Sequence, residues 1–515
     1  MRVLVIGLDG ATWRVLDPLI GEGYTPALGE LSRGARAVLE STVPPITGAA
    51  WPAMATGKNP GKLGIIDHLR RESPESWRLR PVSSADIRGQ AVWDYLGMAG
   101  HRVGVFNYPL LYPPYPVNGF MVSGLGADES MEYTYPASLK GELDEAAGGY
   151  RIYVTHYDKK YWDNVDLLLR DLHDFMDRFE RAVLHVASKE WDFLFTVLSA
   201  TDWIQHAMWM YIDESHPLYD PSEAPRYRRG FAEFWARVDE YVSRLLDAAG
   251  DAAVLVVSDH GFGPARAAFN LRRWLVEKGY MRLRGAAPLK RRLLSAAAAV
   301  GRRVLPARVK ARLRTRVRQE LSPAGEVDLE GSRAVCLGHS IEFGAVYIVD
   351  RERDAVLRSL LRDLSGLPSE IGVGSVQVYV REETWSGDKL GLLPDLVFEL
   401  DGGACYVVET RPDLPLYVDY PLSPRLSGGH RMDGVFMARG PGMRRGLDLG
   451  RLRIYDVAPT ILHLYGLPVP GDMDGRVVEE LFEPGSPLAR RPRRVDPARY
   501  RASLRMRRLR RARKR

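Results

Sequence analysis

Cysteine is nearly absent: the 515 residues hold two, Cys336 and Cys405. That excludes a disulfide scaffold, a multi-cysteine zinc finger and an iron–sulfur site. Both thiols read as small buried hydrophobes. Long apolar runs are missing too. The longest, around Ala296–Val300, falls far short of the ~20 residues that span a bilayer. Met1-Arg2 leads straight into VLVIGLDG, unlike a charged-then-apolar signal peptide. The expectation is a cytoplasmic protein, soluble or peripheral at a membrane surface.

Acidic residues are missing from two stretches. Residues 281–319 carry 13 basic groups and no acid, and residues 489–515 carry 14 against the single Asp496. The net charge of +7 therefore hides a body at −19 over the other 449 residues. Any anionic membrane surface or nucleic acid is expected to meet these two segments rather than the body. The tail is too charged to hold a core and reads as disordered. In the insertion, Pro306 can open a helix that lines up Val309, Leu313, Val317 and Leu321, which suits a lid or surface-binding segment. The resulting division is a catalytic body at 1–280 and 322–488, a basic insertion at 281–321, and a tail at 489–515.

The body has ordinary globular composition, 45% apolar and 27% charged. Four short apolar runs stand out: Val3–Leu8, Phe193–Leu198, Ala253–Val257 and Val435–Ala438. Near-continuous runs of this length suit strands buried on both faces. Between them lie helical patterns, clearest over Tyr227–Ala249. There Phe231, Phe234, Trp235, Val238, Tyr241, Val242 and Leu245 recur at helical steps. The alternation predicts an α/β fold with a mostly parallel central sheet covered by helices on both faces. In such sheets ligands bind beyond the carboxyl ends of the strands. Asp9, Asp202 and Asp259 all follow a predicted strand there.

Five segments carry chemistry: Gly7–Gly10; Pro44–Trp51 with Thr56–Pro60; Asp202–His206; Ser258–Phe262; and Ser427–His430. Three aspartates and three histidines form a ligand set for Zn²⁺ or Mn²⁺. Six are too many for one tetrahedral ion and suit two. Two ions ~4 Å apart clamp in-line displacement at phosphorus, and a threonine or serine nucleophile needs such help near neutral pH.

The ordered set LDG, PPxT…TGxxP, DxxxH, SDHG and GxH resembles the type I phosphodiesterase/nucleotide pyrophosphatase family of the alkaline phosphatase superfamily. The resemblance runs from Met1 to about Leu481, around the insertion. It implies that Asp9, Asp259 and His260 hold the metal that activates the nucleophile Thr47, itself a ligand of that ion, and that Asp202, His206 and His430 hold the second. It further implies a covalent phosphothreonine and two divalent ions, zinc first and manganese second. The substrate would be a phosphodiester or nucleotide pyrophosphate. Where the family carries Phe-Pro-Asn, this chain has Gly48-Ala49-Ala50. A phosphoryl-oxygen donor is then sought among backbone N–H groups near Thr47, Lys58 and Asn59. A formylglycine sulfatase is disfavoured, because neither cysteine lies in a C/S-x-P-x-R context.

Other residues read more plainly. His68 and His339 are expected in loop or core roles rather than at substrate. Trp51 and Trp203 are expected to pack rather than stack on a base. Two alternative functions stay open: a phosphomonoesterase, with Lys58 or Lys62 on the third oxygen, or a phosphotransferase of the same superfamily; and a non-catalytic surface-binding protein.

Overall fold

The four apolar runs all become strands of one nine-stranded sheet. The computed structural model describes residues 1–284, 326–409 and 414–512. The strand order is Leu447–Arg453, Ala35–Glu40, Asp433–Arg439, Ala253–Val257, Val3–Leu8, Phe193–Leu198, Val103–Tyr108, Gly119–Ser123 and Thr134–Tyr135. The five strands from Ala253–Val257 to Gly119–Ser123 are parallel to one another. The strand Asp433–Arg439 runs antiparallel to both neighbours, so the predicted run Val435–Ala438 is in the sheet but against its main direction.

Alternation splits the core between the two faces. Leu4, Ile6 and Leu8 point to one apolar cluster, built with the helices Val165–Ala187 and Ala224–Ala249. Val3 and Val5 point to the other, built with the helices Thr47–Thr56, Val92–Ala99 and Val457–Leu464. All seven apolar residues predicted for the helix after Tyr227 are buried. Trp51, Trp203, Cys336 and Cys405 are buried as expected.

A second sheet has no counterpart among the sequence expectations. It runs Ala334–Val335, Gly344–Ile348, Leu396–Leu400, Cys405–Val408, Ala267–Asn270 and Tyr417–Val418, with Val376–Val380 also on Leu396–Leu400. It has its own apolar cluster around Trp274, Phe343 and Phe398.

The tail corrects an expectation. Arg494–Val495 pairs with Val469–Pro470, and Pro497–Ala512 is a helix. Tyr500 and Leu504 are 7% and 1% exposed. They join the cluster of Trp93 and Tyr95, and the Tyr95 and Tyr500 rings stack at 5.7 Å. Two apolar residues four apart put one face on the body, so the start of the tail is docked, not disordered. Leu504→Ala is expected to cost about 2–4 kcal/mol, read as a lower thermal midpoint. An unchanged midpoint would mean the tail does not dock. Of the insertion, Arg282–Leu283 pairs with Val327–Asp328. Its predicted helix lies outside the described residues. Among those described, no helix is long and apolar enough to cross a membrane.

Candidate active site

Register brings the catalytic candidates to one rim. Gly7 lies beside Val197 and Val257 across the parallel ladders. The chain therefore leaves all three strands at the same edge, delivering Asp9, Asp202 and Asp259. Asp202 and His206 lie four apart in the helix Ala200–Ile212 and share its face. His430 arrives from far downstream through an antiparallel ladder that sets it opposite Phe262. Gly10 has φ +67°, and a side chain there would strike the Phe262 ring.

Two buried groups form: Asp9 with Asp259 and His260, and Asp202 with His206 and His430. In the first, His260 Nε2 lies 3.6 Å from Asp9 Oδ1 and 3.4 Å from Asp259 Oδ2. In the second, Asp202 Oδ1 lies 3.5 Å from His206 Nε2 and 3.2 Å from His430 Nε2. It is also 3.9 Å from His260 Nε2, so Asp202 sits between the two groups. Ligands at ~2.05 Å on a tetrahedral ion are about 3.3 Å apart, close to these separations.

Hydrogen bonds to backbone carbonyls orient two of the rings. His206 Nδ1 is 2.7 Å from the Gly428 carbonyl, and His260 Nδ1 is 3.1 Å from the Gly261 carbonyl. Donation at Nδ1 turns each Nε2 lone pair into the site. Tyr406 donates to the same Gly428 carbonyl at 2.6 Å. Asp9 Oδ1, Asp202 Oδ1 and Asp259 Oδ2 are buried without a hydrogen-bond partner. Those are the oxygens that face the histidines.

The electrostatics agree. Burial raises the pKa values of Asp9, Asp202 and Asp259, and for Asp9 the carboxylates of Asp259 and Asp202 add to it. Burial lowers those of His206, His260 and His430. Three crowded carboxyls beside three neutral imidazoles are the environment that bound cations stabilise. The donors fit two divalent ions, one per group.

Thr47 opens the helix Thr47–Thr56, with Oγ1 3.3 Å from His260 Nε2. Its own N–H and that of Gly48 fall in the first turn, where no helical carbonyl can accept them. A Cβ on Gly48 would lie 2.3 Å from the backbone nitrogen of His68. Gly48→Ala is therefore expected to destabilise the fold by about 1–3 kcal/mol and to displace His68, read as a lower melting point together with a lower kcat.

Lys58 and Asn59 are not at the site. A ten-residue helix spans about 15 Å and carries them to its far end. Lys58 Nζ is held by Asp472 at 2.5 Å and Gln90 at 2.7 Å. Asn59 bonds Asp474 at 2.9 Å, and Lys62 pairs with the same carboxylate at 2.6 Å. Their sequence proximity to Thr47 misled.

His68 was passed over. Its backbone abuts Gly48, and its Nδ1 lies 3.1 Å from Asp67 Oδ1. Burial opposes its protonation, but the Asp67 hydrogen bond and charge outweigh it and raise the His68 pKa. His339 is a buried brace between Asp67 and Tyr347 at 2.9 and 2.8 Å, the core role expected. His156 stacks on His206 with centroids 5.2 Å apart and both its ring nitrogens unpartnered. No sequence motif marked it.

Known proteins share the chain's family and fold. The family model of type I phosphodiesterase/nucleotide pyrophosphatase matches residues 3–413. No curated protein sequence matches the chain. Among solved structures, murine ectonucleotide pyrophosphatase/phosphodiesterase 5 is 15% identical with a TM-score of 0.50, covering 94% of this chain and 100% of that one. Phosphonoacetate hydrolase from Sinorhizobium meliloti 1021, in complex with phosphonoacetate, is 16% identical with a TM-score of 0.48, covering 89% and 94%. The murine likeness speaks to the alkaline-phosphatase-like fold. With the family match spanning most of its length, the chain belongs to the type I phosphodiesterase/nucleotide pyrophosphatase family, and it is a phosphoric ester hydrolase of a metal-dependent kind.

Proposed function

We propose that the chain hydrolyses phosphodiesters or nucleotide pyrophosphates through a covalent phosphothreonine on Thr47. The observation that carries this reading is the pair of buried ligand groups beside the Thr47 hydroxyl. Asp9, Asp259 and His260 would hold one divalent ion, and Asp202, His206 and His430 the other, with zinc favoured by the mixed nitrogen and oxygen donors. Such ions supply positive charge that lowers the hydroxyl pKa and steadies the departing oxygen.

The chain's own groups do the rest. Thr47 Oγ1 forms a bond to phosphorus as the bond to the leaving alcohol or phosphate breaks. Water then attacks the same phosphorus, the Thr47 oxygen departs, and the hydroxyl regains its proton. The first-turn N–H groups of Thr47 and Gly48 face the growing negative charge. His68, whose pKa the Asp67 hydrogen bond and charge raise against burial, supplies a further donor.

The monoesterase reading loses support because Lys58 and Lys62 are already paired. A panel of aryl phosphodiesters and monoesters, run with Zn²⁺ and Mn²⁺ added separately, tests the reading. Metal-dependent release from diesters, abolished by a chelator, is the expected result. A preference for monoesters, or activity indifferent to metal, would overturn it.

A further inference from the structure

The second sheet sends one loop to the catalytic rim, and that loop carries an unused carboxylate. Residues 336–343 join the strands Ala334–Val335 and Gly344–Ile348. The loop is held at both ends. Glu409, fully buried, accepts the backbone N–H groups of Gly338, His339 and Ala345 at 2.7, 3.1 and 3.0 Å. Ser340 bonds Asp67 through Oγ at 2.6 Å and through its N–H at 3.0 Å. Asp67 leads directly into His68, whose backbone touches Gly48 beside the nucleophile. The loop is therefore fixed relative to Thr47 by a short chain of contacts.

Glu342 follows on this loop. Among the described residues, its buried Oε2 has no hydrogen-bond partner and no cation pairs with it. Its charged neighbours are Asp67, His68 and Asp202, and the Ser340–Asp67–His68 contacts hold its loop beside Gly48 in the first turn of the Thr47 helix. A buried carboxylate oxygen without a donor is costly. Nothing in the proposed phosphoryl chemistry uses it: Thr47, the six metal-ligand candidates and His68 complete that set.

We propose that Glu342 binds a hydrogen-bond donor on the ester group of the substrate, so that the enzyme prefers phosphodiesters whose alcohol carries a hydroxyl or ammonium group. This rests on the phosphodiesterase reading above. A substrate donor would fill the vacant bond on Oε2 while phosphorus lies against Thr47. A plain alkyl or aryl ester would leave it unfilled.

The test compares propyl, 3-hydroxypropyl and 3-aminopropyl p-nitrophenyl phosphates on the zinc-loaded full chain, with Glu342→Ala and Glu342→Gln. Wild type is expected to favour one or both donor-bearing esters over the propyl ester by about tenfold or more in kcat/KM, in line with one hydrogen bond to a charged group. The two arms tell a hydroxyl from an ammonium preference. Glu342→Ala should bring the ratio to about one. Glu342→Gln, which keeps size and an acceptor, should retain a hydroxyl preference and lose an ammonium one. No preference in wild type, or a ratio that survives Glu342→Ala whatever the absolute rates, would overturn the proposal. The second outcome would make Glu342 a positioning residue for His68. Hydrolysis of none of the three esters would instead sink the phosphodiesterase reading, and this inference with it.

Discussion

Replacing Thr47 with alanine is expected to lower kcat on an aryl phosphodiester by about 10³-fold or more, the scale seen when a covalent nucleophile is removed. Stability and metal content should stay near wild type. The reason lies in how little else Thr47 does. Among the described residues its hydroxyl has one side-chain hydrogen-bond contact, His260 Nε2 at 3.3 Å, and it caps no helix. Alanine is a better helix former than threonine, so the first turn survives. The six candidate ligands are all left in place. Thr47→Ser keeps the hydroxyl and should recover a large share of the rate. Intact-protein mass under single turnover should show added phosphate on wild type and none on Thr47→Ala. If the alanine variant keeps a tenth of the activity, the covalent route is wrong.

Much of this site was legible because its parts are local. The runs ending at Leu8, Leu198 and Val257 are continuous and apolar, so strand ends and the aspartates beyond them could be read directly. Asp202 and His206 are one helical step apart. His430 was different. It is tied to Phe262 by a ladder across a long stretch of chain, and nothing local in the sequence pairs it with Asp202 and His206. His68 escaped because its position depends on the glycine it touches. The second sheet was missed because its strands are short, down to the two residues of Ala334–Val335, and give no periodic signal. Lys58 and Asn59 show the opposite error, in which nearness in sequence was undone by a helix. In the tail, the density of arginine masked a spacing of four between Tyr500 and Leu504 that was enough to dock it.

Asp202→Asn is expected to lower activity by about 10²-fold or more and to reduce the zinc bound by the purified protein. Asp202 Oδ1 lies within 3.9 Å of all three histidine Nε2 atoms, so its loss touches both groups. Asparagine keeps the shape but removes the charge that would offset a cation. The pH dependence follows from the shifts. Without metal, burial holds the carboxyl pKa values above their unfolded ones, so the folded chain keeps protons that the unfolded chain has lost. That part of the stability falls as pH rises past the unfolded values. The histidines have lowered pKa values and stay neutral in the folded state below the usual imidazole range. They therefore bring fewer protons to displace at mildly acid pH than free imidazoles would. The raised aspartates carry the protons a bound ion must expel, and metal affinity rises with pH. The gain in thermal midpoint on adding Zn²⁺ should then be larger at pH 8 than at pH 6 in wild type, and smaller at both in Asp202→Asn. An equal gain at the two pH values would show that the ions bind elsewhere than among these carboxyls.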